Sequence, residues 1–218
     1  MPRFAVELTV KYVPGVADPL EQNAPWYLLV ELTSPNARQD LISLLTATLE
    51  DAAAGGTVRD AMLATSTSQA QAMWKLRESV PEGQRRHGAS LKHDVSVPVS
   101  AIPTLIEEGS ALVRRLAPEG DAVSYGHAGD GNLHFNVSQR PDADIKSFVA
   151  RGPMLERAMF DLVESLGGSI SAEHGIGRLK AAEFARRNDP VELAVMHDLK
   201  RALDPKGIMN PGKVLCAR

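Results

Sequence analysis

Hydrophobic residues along the chain change their period several times, and each change marks an element. Phe4, Val6, Leu8 and Val10 alternate with Ala5, Glu7 and Thr9, which predicts a strand with one buried face. After an irregular connection containing Pro14, Gly15 and Pro19, residues 26–33 form a nearly unbroken apolar run rich in β-branched and aromatic side chains, predicting a buried strand. Ser34 and Pro35 supply a cap and a first-turn proline for a helix lined by Leu41, Leu44, Leu45, Thr48 and Leu49 and closed by Gly55-Gly56. Residues 58–63 predict a short strand. Residues 66–68 cap a helix carrying Met73, Trp74, Leu76 and Arg77, which Pro81 stops. Residues 91–97 alternate Leu91, His93, Val95 and Val97 with Lys92, Asp94 and Ser96, a strand with a charged face.

Ser100 caps the next helix, with Pro103 in its first turn and a stripe of Leu105, Ile106, Leu112, Val113 and Leu116. Two runs of strand character then flank Gly129-Asp130-Gly131-Asn132. Asp144 caps a helical stretch that Pro153 divides and Gly167-Gly168 closes. Residues 169–171 read as a short strand, 177–187 as a helix, and Asp189-Pro190 starts a last helix that Asp204-Pro205 ends. A pair of hairpin strands inside an otherwise alternating series predicts an α+β fold. Its expected form is two interleaved, ferredoxin-like split βαβ units with a mostly antiparallel sheet, followed by C-terminal helices.

The hairpin is where chemistry enters. With residues 129–132 as its loop, Ala128 faces Leu133 and His127 faces His134, so two imidazoles are cross-strand partners on one face with Tyr125 and Asn136. Leu133, Phe135 and Val137 point to the opposite, packing face. Two imidazoles so placed can share a metal ion or simply hydrogen-bond to each other. Ser171-Ala-Glu-His-Gly-Ile-Gly177 offers the natural third donor, with Glu173 and His174 on a glycine-flanked turn. Two His and one Glu leave coordination positions open, as catalytic metal sites do. Arg77 beside Trp74 reads as a surface charge resting on an aromatic, and Lys92 as a solvated charge or, if its face lines a cleft, an anion contact.

Composition narrows the classes. The 218 residues are 44% hydrophobic with a net charge of -3, which argues against a disordered chain and against a surface built for nucleic acid. One cysteine, Cys216, permits no internal disulfide and fits a reducing, cytoplasmic setting. No apolar run is long enough to span a bilayer, and no glycine-rich loop follows a strand in the manner of a nucleotide-phosphate cradle.

The motifs His127-Ala-Gly-Asp-Gly-Asn-Leu-His134, Ser171-Ala-Glu-His-Gly-Ile-Gly177 and Leu203-Asp-Pro-Lys-Gly-Ile-Met-Asn-Pro-Gly-Lys213 together resemble the C-terminal domain of FAD-linked oxidases of the vanillyl-alcohol oxidase type. Within that family the chain is similar to the D-2-hydroxyglutarate, D-lactate and glycolate dehydrogenase branch. The resemblance implies that residues 1–218 form the substrate- and metal-binding domain, with FAD bound mainly by a separate N-terminal domain that is not in this sequence. It implies a divalent metal, most often zinc, on His127, His134 and Glu173, His174 as general base, and Arg77, Lys92 and Asn136 as substrate contacts. The segment around Asn210 resembles the part of the family that folds back toward the flavin, which makes Asn210 a cofactor contact.

By the same resemblance, the substrate is a small 2-hydroxy acid, and electrons pass from the flavin to an electron-transfer flavoprotein or a quinone. Where family members that read a second carboxylate carry a hydroxyl residue one turn beyond the arginine, this chain has Pro81. A surface that normally meets the flavin domain implies self-association, such as a homodimer. The competing readings are a stand-alone metal-dependent hydrolase using the same donors, and a non-catalytic module that binds small acids.

Overall fold

In the computed structural model, which describes residues 1–216, a small antiparallel sheet lies at the centre. Its longest member is the hairpin of β3 (Gly120–His127) and β4 (Asn132–Gln139). Ala128 to Gly131 form its loop, and the strands pair with Tyr125 opposite His134 and His127 opposite Asn132. The expected pairing of His127 with His134 is therefore corrected by two residues. Gly131 explains the shift. It adopts a positive φ of 75°, and a β-carbon there would lie 1.9 Å from the Val97 carbonyl oxygen, so the loop must end on this glycine. Asp130 Oδ1 then accepts the Asn132 amide, and Asn132 is already in the strand. Because the pairing moves by two, both histidines keep the same face and become diagonal neighbours.

On the other side of β4 lie β1 (Ser90–Leu91) and β2 (Asp94–Ser96), two pieces of the single strand expected over residues 91–97. Their pairings with β4 are in one continuous register. At the break the Phe135 amide donates to the His93 carbonyl, and the His93 ring donates through Nδ1 to the Phe135 carbonyl at 2.7 Å. A side chain stands where a backbone N–H would ordinarily complete the ladder.

Val99–Ala101 form one 3-10 turn ahead of α5 (Ile102–Leu116), which has no side-chain cap from Ser100. Asp144 caps α6 (Ile145–Ala150), and Pro153 sits in the first turn of α7 (Gly152–Ser165), dividing the stretch as expected. The strand expected at 169–171 is reduced to a bridge between Ser169 and Ser96. Reading across, the order is Ser169, β2, β4, β3, with α5 and α7 on one face: the two interleaved split βαβ units of an α+β fold. That face holds the main core, where Leu105, Val113, Leu155, Met159, Phe160 and Val163 meet Val95, Leu133, Phe135 and Val137. A β-carbon on Gly109 would lie 2.7 Å from the Phe135 ring, so glycine lets α5 close on the sheet.

The opposite face is only half covered. α1 (Arg3–Tyr12), α3 (Thr67–Glu78) and α4 (Val80–His87) lie on this side, and Ala5, Val80, Val123 and Tyr125 form a second small cluster there. α1 replaces the strand expected at residues 4–10. Its buried residues are Ala5, Val6, Leu8 and Thr9, a helical stripe hidden in the sequence because Ala5 and Thr9 count as non-core in an alternating reading. Gly83 of α4 rests on the Thr9 backbone, where a β-carbon would approach to 2.9 Å, so glycine lets the two helices close on each other. Pro81 starts α4 rather than simply ending α3.

Residues 26–33 and 58–63 are not strands either. Apart from a bridge between Pro2 and Trp26 they find no ladder partner, and they line an apolar groove with α2 (Leu41–Ala54), which Asp40 rather than Ser34 caps. The chain ends in α8 (Ala181–Arg187) and α9 (Pro190–Leu203). Among the described residues no helix is long and apolar enough to cross a membrane.

Candidate active site

The uncovered half of the sheet's second face, at the loop end of the hairpin, is where the polar residues collect. Asp94 of β2 stands opposite His134 of β4, which stands opposite Tyr125 of β3. Over them passes the loop 171–177, tied down by Asp94. The Asp94 carboxylate accepts the His174 amide at 2.9 Å, the Glu173 amide at 3.1 Å and the Ser171 hydroxyl at 3.4 Å. Lys180 Nζ donates to the Asp94 and Ile170 carbonyls at 3.1 and 2.6 Å and lies 3.9 Å from the Asp94 carboxylate. Burial alone pushes the Asp94 carboxyl up, but the His174 and Glu173 amides outweigh it and hold the group below the usual carboxylate range. Burial pushes the Lys180 ammonium down, against the pull of Asp94.

The loop brings Glu173 and His174 to His134. Glu173 Oε2 lies 3.9 Å from His134 Nε2, while Oε1 accepts a short hydrogen bond from Asn132 Nδ2. His174 stacks on His134 with ring centroids 5.9 Å apart, and its Nδ1 lies 3.7 Å from Asp94. His134 is pushed below its ordinary pKa by burial, against the opposing pull of Glu173 and Asp94. A neutral imidazole is the form that binds metal. Two donors held about 2.0–2.2 Å from one ion can be at most about 4.3 Å apart, so His134 Nε2 and Glu173 Oε2 satisfy that limit. The donor set is chemically suited to a divalent cation.

The other expected site residues are placed less uniformly. Among the described residues the group of three acid and imidazole donors that converges within 4.8 Å is Asp94, Glu173 and His174; of the expected ligands it contains Glu173, and neither His127 nor His134 is in it. His127 is exposed on the same sheet face, its Nε2 3.5 Å from the Arg77 guanidinium. Arg77 rests 5.1 Å above the Tyr125 ring rather than on Trp74, whose indole N–H donates to Glu31. A cavity of about 950 Å³ opens here, bordered by Arg59, Arg77, Tyr125 and His127. Lys92 is exposed, and the β1–β2 register sets it across from Asn136. Asn136 itself is buried under α4, where it donates to Gln84 at 3.0 Å and faces the Tyr125 hydroxyl at 3.5 Å. Asn210 lies exposed in the turn after α9 with φ 45°, and Val214 N donates to the Gly177 carbonyl, fastening this terminal segment to the Glu173 loop.

Sequence reasoning missed Asp94, Asn132 and Lys180. Asp94 was assigned to a charged strand face, and nothing in the alternation says which charge on that face is buried. A loop over residues 129–132 keeps Asn132 off the strand, and that same loop length produces the two-residue error in register.

A profile of the family "FAD linked oxidases, C-terminal domain" covers residues 1–214. The chain is 38% identical over 206 residues to the D-2-hydroxyglutarate dehydrogenase of Stutzerimonas stutzeri, covering 93% of this chain and 43% of that protein. It is 39% identical over 198 residues to the mitochondrial D-2-hydroxyglutarate dehydrogenase of Rattus norvegicus, covering 90% and 35%. The chain thus spans less than half the length of the curated relatives it matches. With that family model covering residues 1–214, the chain belongs to the family of FAD-linked oxidase C-terminal domains.

Proposed function

We propose that this chain is the substrate- and metal-binding part of a flavin-dependent D-2-hydroxyacid dehydrogenase. The reaction oxidises a 2-hydroxyl to a 2-oxo group: the O–H proton passes to a base, the C2–H bond breaks with its electron pair leaving as hydride, and the C–O double bond forms. The observation that carries this reading is the approach of His134 Nε2 and Glu173 Oε2 to 3.9 Å with His174 stacked beside them, on the face that also presents Arg77. Family membership and relatives named D-2-hydroxyglutarate dehydrogenases support it.

FAD, when bound, accepts the hydride. A divalent cation, with zinc, manganese, iron and cobalt all suited to mixed imidazole and carboxylate donors, would supply charge that stabilises a developing alkoxide. His134 and Glu173 would hold that cation, with His127 as a third donor from the rim of the hairpin. His174 is the base for the hydroxyl proton. Arg77, over the Tyr125 ring, and Lys92, exposed to solvent, bind carboxylate, and two such cations suit an acid with two carboxylates.

Calorimetric titration of the protein, zinc-loaded and metal-free, with D-2-hydroxyglutarate and D-lactate tests the proposal. Zinc should be required for acid binding, and Arg77→Ala should weaken it about 10–100-fold, the worth of a charge-assisted hydrogen bond. Failure of either acid to bind the zinc-loaded protein overturns the reading. Flavin-independent turnover of an ester panel would replace it with a metal hydrolase.

A further inference from the structure

Asp94 is 5% exposed and belongs to none of the roles just assigned, yet it meets Glu173, His174 and His134. Its carboxylate accepts the backbone amides of Glu173 and His174 and faces the Nδ1 edges of two imidazoles, His134 at 3.9 Å and His174 at 3.7 Å. At those distances the imidazole contacts are longer than hydrogen bonds, and the carboxylate acts on the ring N–H dipoles electrostatically. With three donors of its own already accepted, from two amides and the Ser171 hydroxyl, this carboxylate is poorly placed to be a ligand and well placed to orient ligands.

We propose that Asp94 is the positioning residue of the centre: it fixes the Glu173–His174 backbone and turns the Nδ1 edges of His134 and His174 toward itself. The inference deepens the metal-dependent dehydrogenase reading and rests on it. Two consequences follow from the geometry. Carboxylates stand 3.9 Å from both ring nitrogens of His134, but Asp94 is buried and Glu173 is half-exposed, so the less screened Asp94 favours the N–H on Nδ1 and leaves the Nε2 lone pair facing Glu173. Two acceptors facing each other are unfavourable unless a cation lies between them. Asn132, by holding Glu173 Oε1, leaves Oε2 as the oxygen that faces His134. On His174 the same carboxylate takes the Nδ1 edge, so Nε2 is the atom that receives the substrate proton. The arrangement follows the carboxylate–histidine–metal logic by which an outer carboxylate sets a ligand's tautomer. Lys180 keeps the buried charge compensated without touching either imidazole in the hydrogen-bond or ion-pair sense.

The test uses zinc affinity, measured by competition with a chromogenic chelator, and the His134 tautomer, read from its ring nitrogen shifts in the metal-free protein. The probes are wild type, Asp94→Asn, Asp94→Glu and Ser171→Ala. Asn keeps an acceptor for the loop amides but removes the carboxylate; Ser171→Ala removes one loop tie and leaves both imidazole contacts. Asp94→Asn should bind zinc about 10–100-fold more weakly and lose the predominance of the Nδ1–H form, whereas Ser171→Ala should match wild type in both. If Asp94→Asn does not fold, Asp94→Glu, whose oxygens are displaced by one methylene at unchanged charge, should show the same direction of change in affinity. Wild-type affinity and an unchanged tautomer in the folded Asp94 variant overturn the inference alone. A wild-type protein that binds no zinc overturns the metal centre itself, and the inference with it.

Discussion

Two regions of this molecule are rich in apolar residues in sequence and differ in what became of that apolarity. Between β1 and Ile170, the side chains of Phe135, Phe148, Leu155, Met159 and Phe160 are fully buried. Between residues 26 and 63, α2 buries none of its residues, and Leu28, Val30, Ile42, Leu44 and Met62 are exposed. The sheet supplies a continuous surface for α5 and α7, while the extended segments of the other region meet no ladder partner. An apolar pattern therefore states a demand for burial, and a partner surface decides whether the demand is met.

The contrast should be largest at Phe135. Phe135→Ala empties the space against Gly109 and Met159 and should destabilise the protein by about 3–5 kcal/mol. The opposite change, Gly109→Ala, places a β-carbon 2.7 Å from a ring that has no free volume behind it, and should cost about 1–3 kcal/mol. Urea midpoints with an unchanged slope would measure both. A Phe135→Ala loss under about 1 kcal/mol would mean that the sheet face is not the main core.

Next in size is the pH response of His93. Burial pushes this ring down to about 4, the Phe135 carbonyl opposes the shift, and Lys180 adds to it. A depressed folded pKa means that the unfolded chain takes up the proton first as pH falls. The contribution is fully present above the unfolded value near 6.5 and is lost as pH falls toward about 4. Between pH 7 and 5 that is about 2 kcal/mol. His93→Gln, which can still donate to the Phe135 carbonyl, should remove this part of the slope. Parallel stability profiles for the two proteins would show that the ring does not govern it.

The same division marks what could be read in advance. The hairpin, the split βαβ order, the division at Pro153 and the polar face carrying Tyr125, His134 and Asn136 follow from local signals that burial then enforces. The register missed by two because loop length leaves the end of the turn free, and only the close approach of Gly131 to Val97 decides it. α1 escapes an alternating reading because its buried stripe includes Ala5 and Thr9, and Thr9 is covered where its backbone packs against Gly83 of α4, an element far along the chain. At the site, Glu173 and His174 were legible as a motif. Asp94 was not, since its importance lies in whose amides it accepts, and those lie across the fold.

The smallest effect should come from the exposed region. Leu28 is 78% exposed, so Leu28→Ser removes little apolar area that folding hides, and the expected change in this protein is within about 0.5 kcal/mol. The size is the informative part, because the same substitution at Leu155, which is fully buried, should cost several times more. Leu28 borders the apolar groove of about 410 Å³ formed with α2 and α3, together with Leu45, Leu49 and Met73. If the groove closes on itself in solution, Leu28→Ser should destabilise by well over 1 kcal/mol, as for a core leucine. Leu28→Ser measured beside Leu155→Ser in the same urea series would therefore decide whether the first region has a core of its own, or carries apolar residues whose burial the chain leaves unmet.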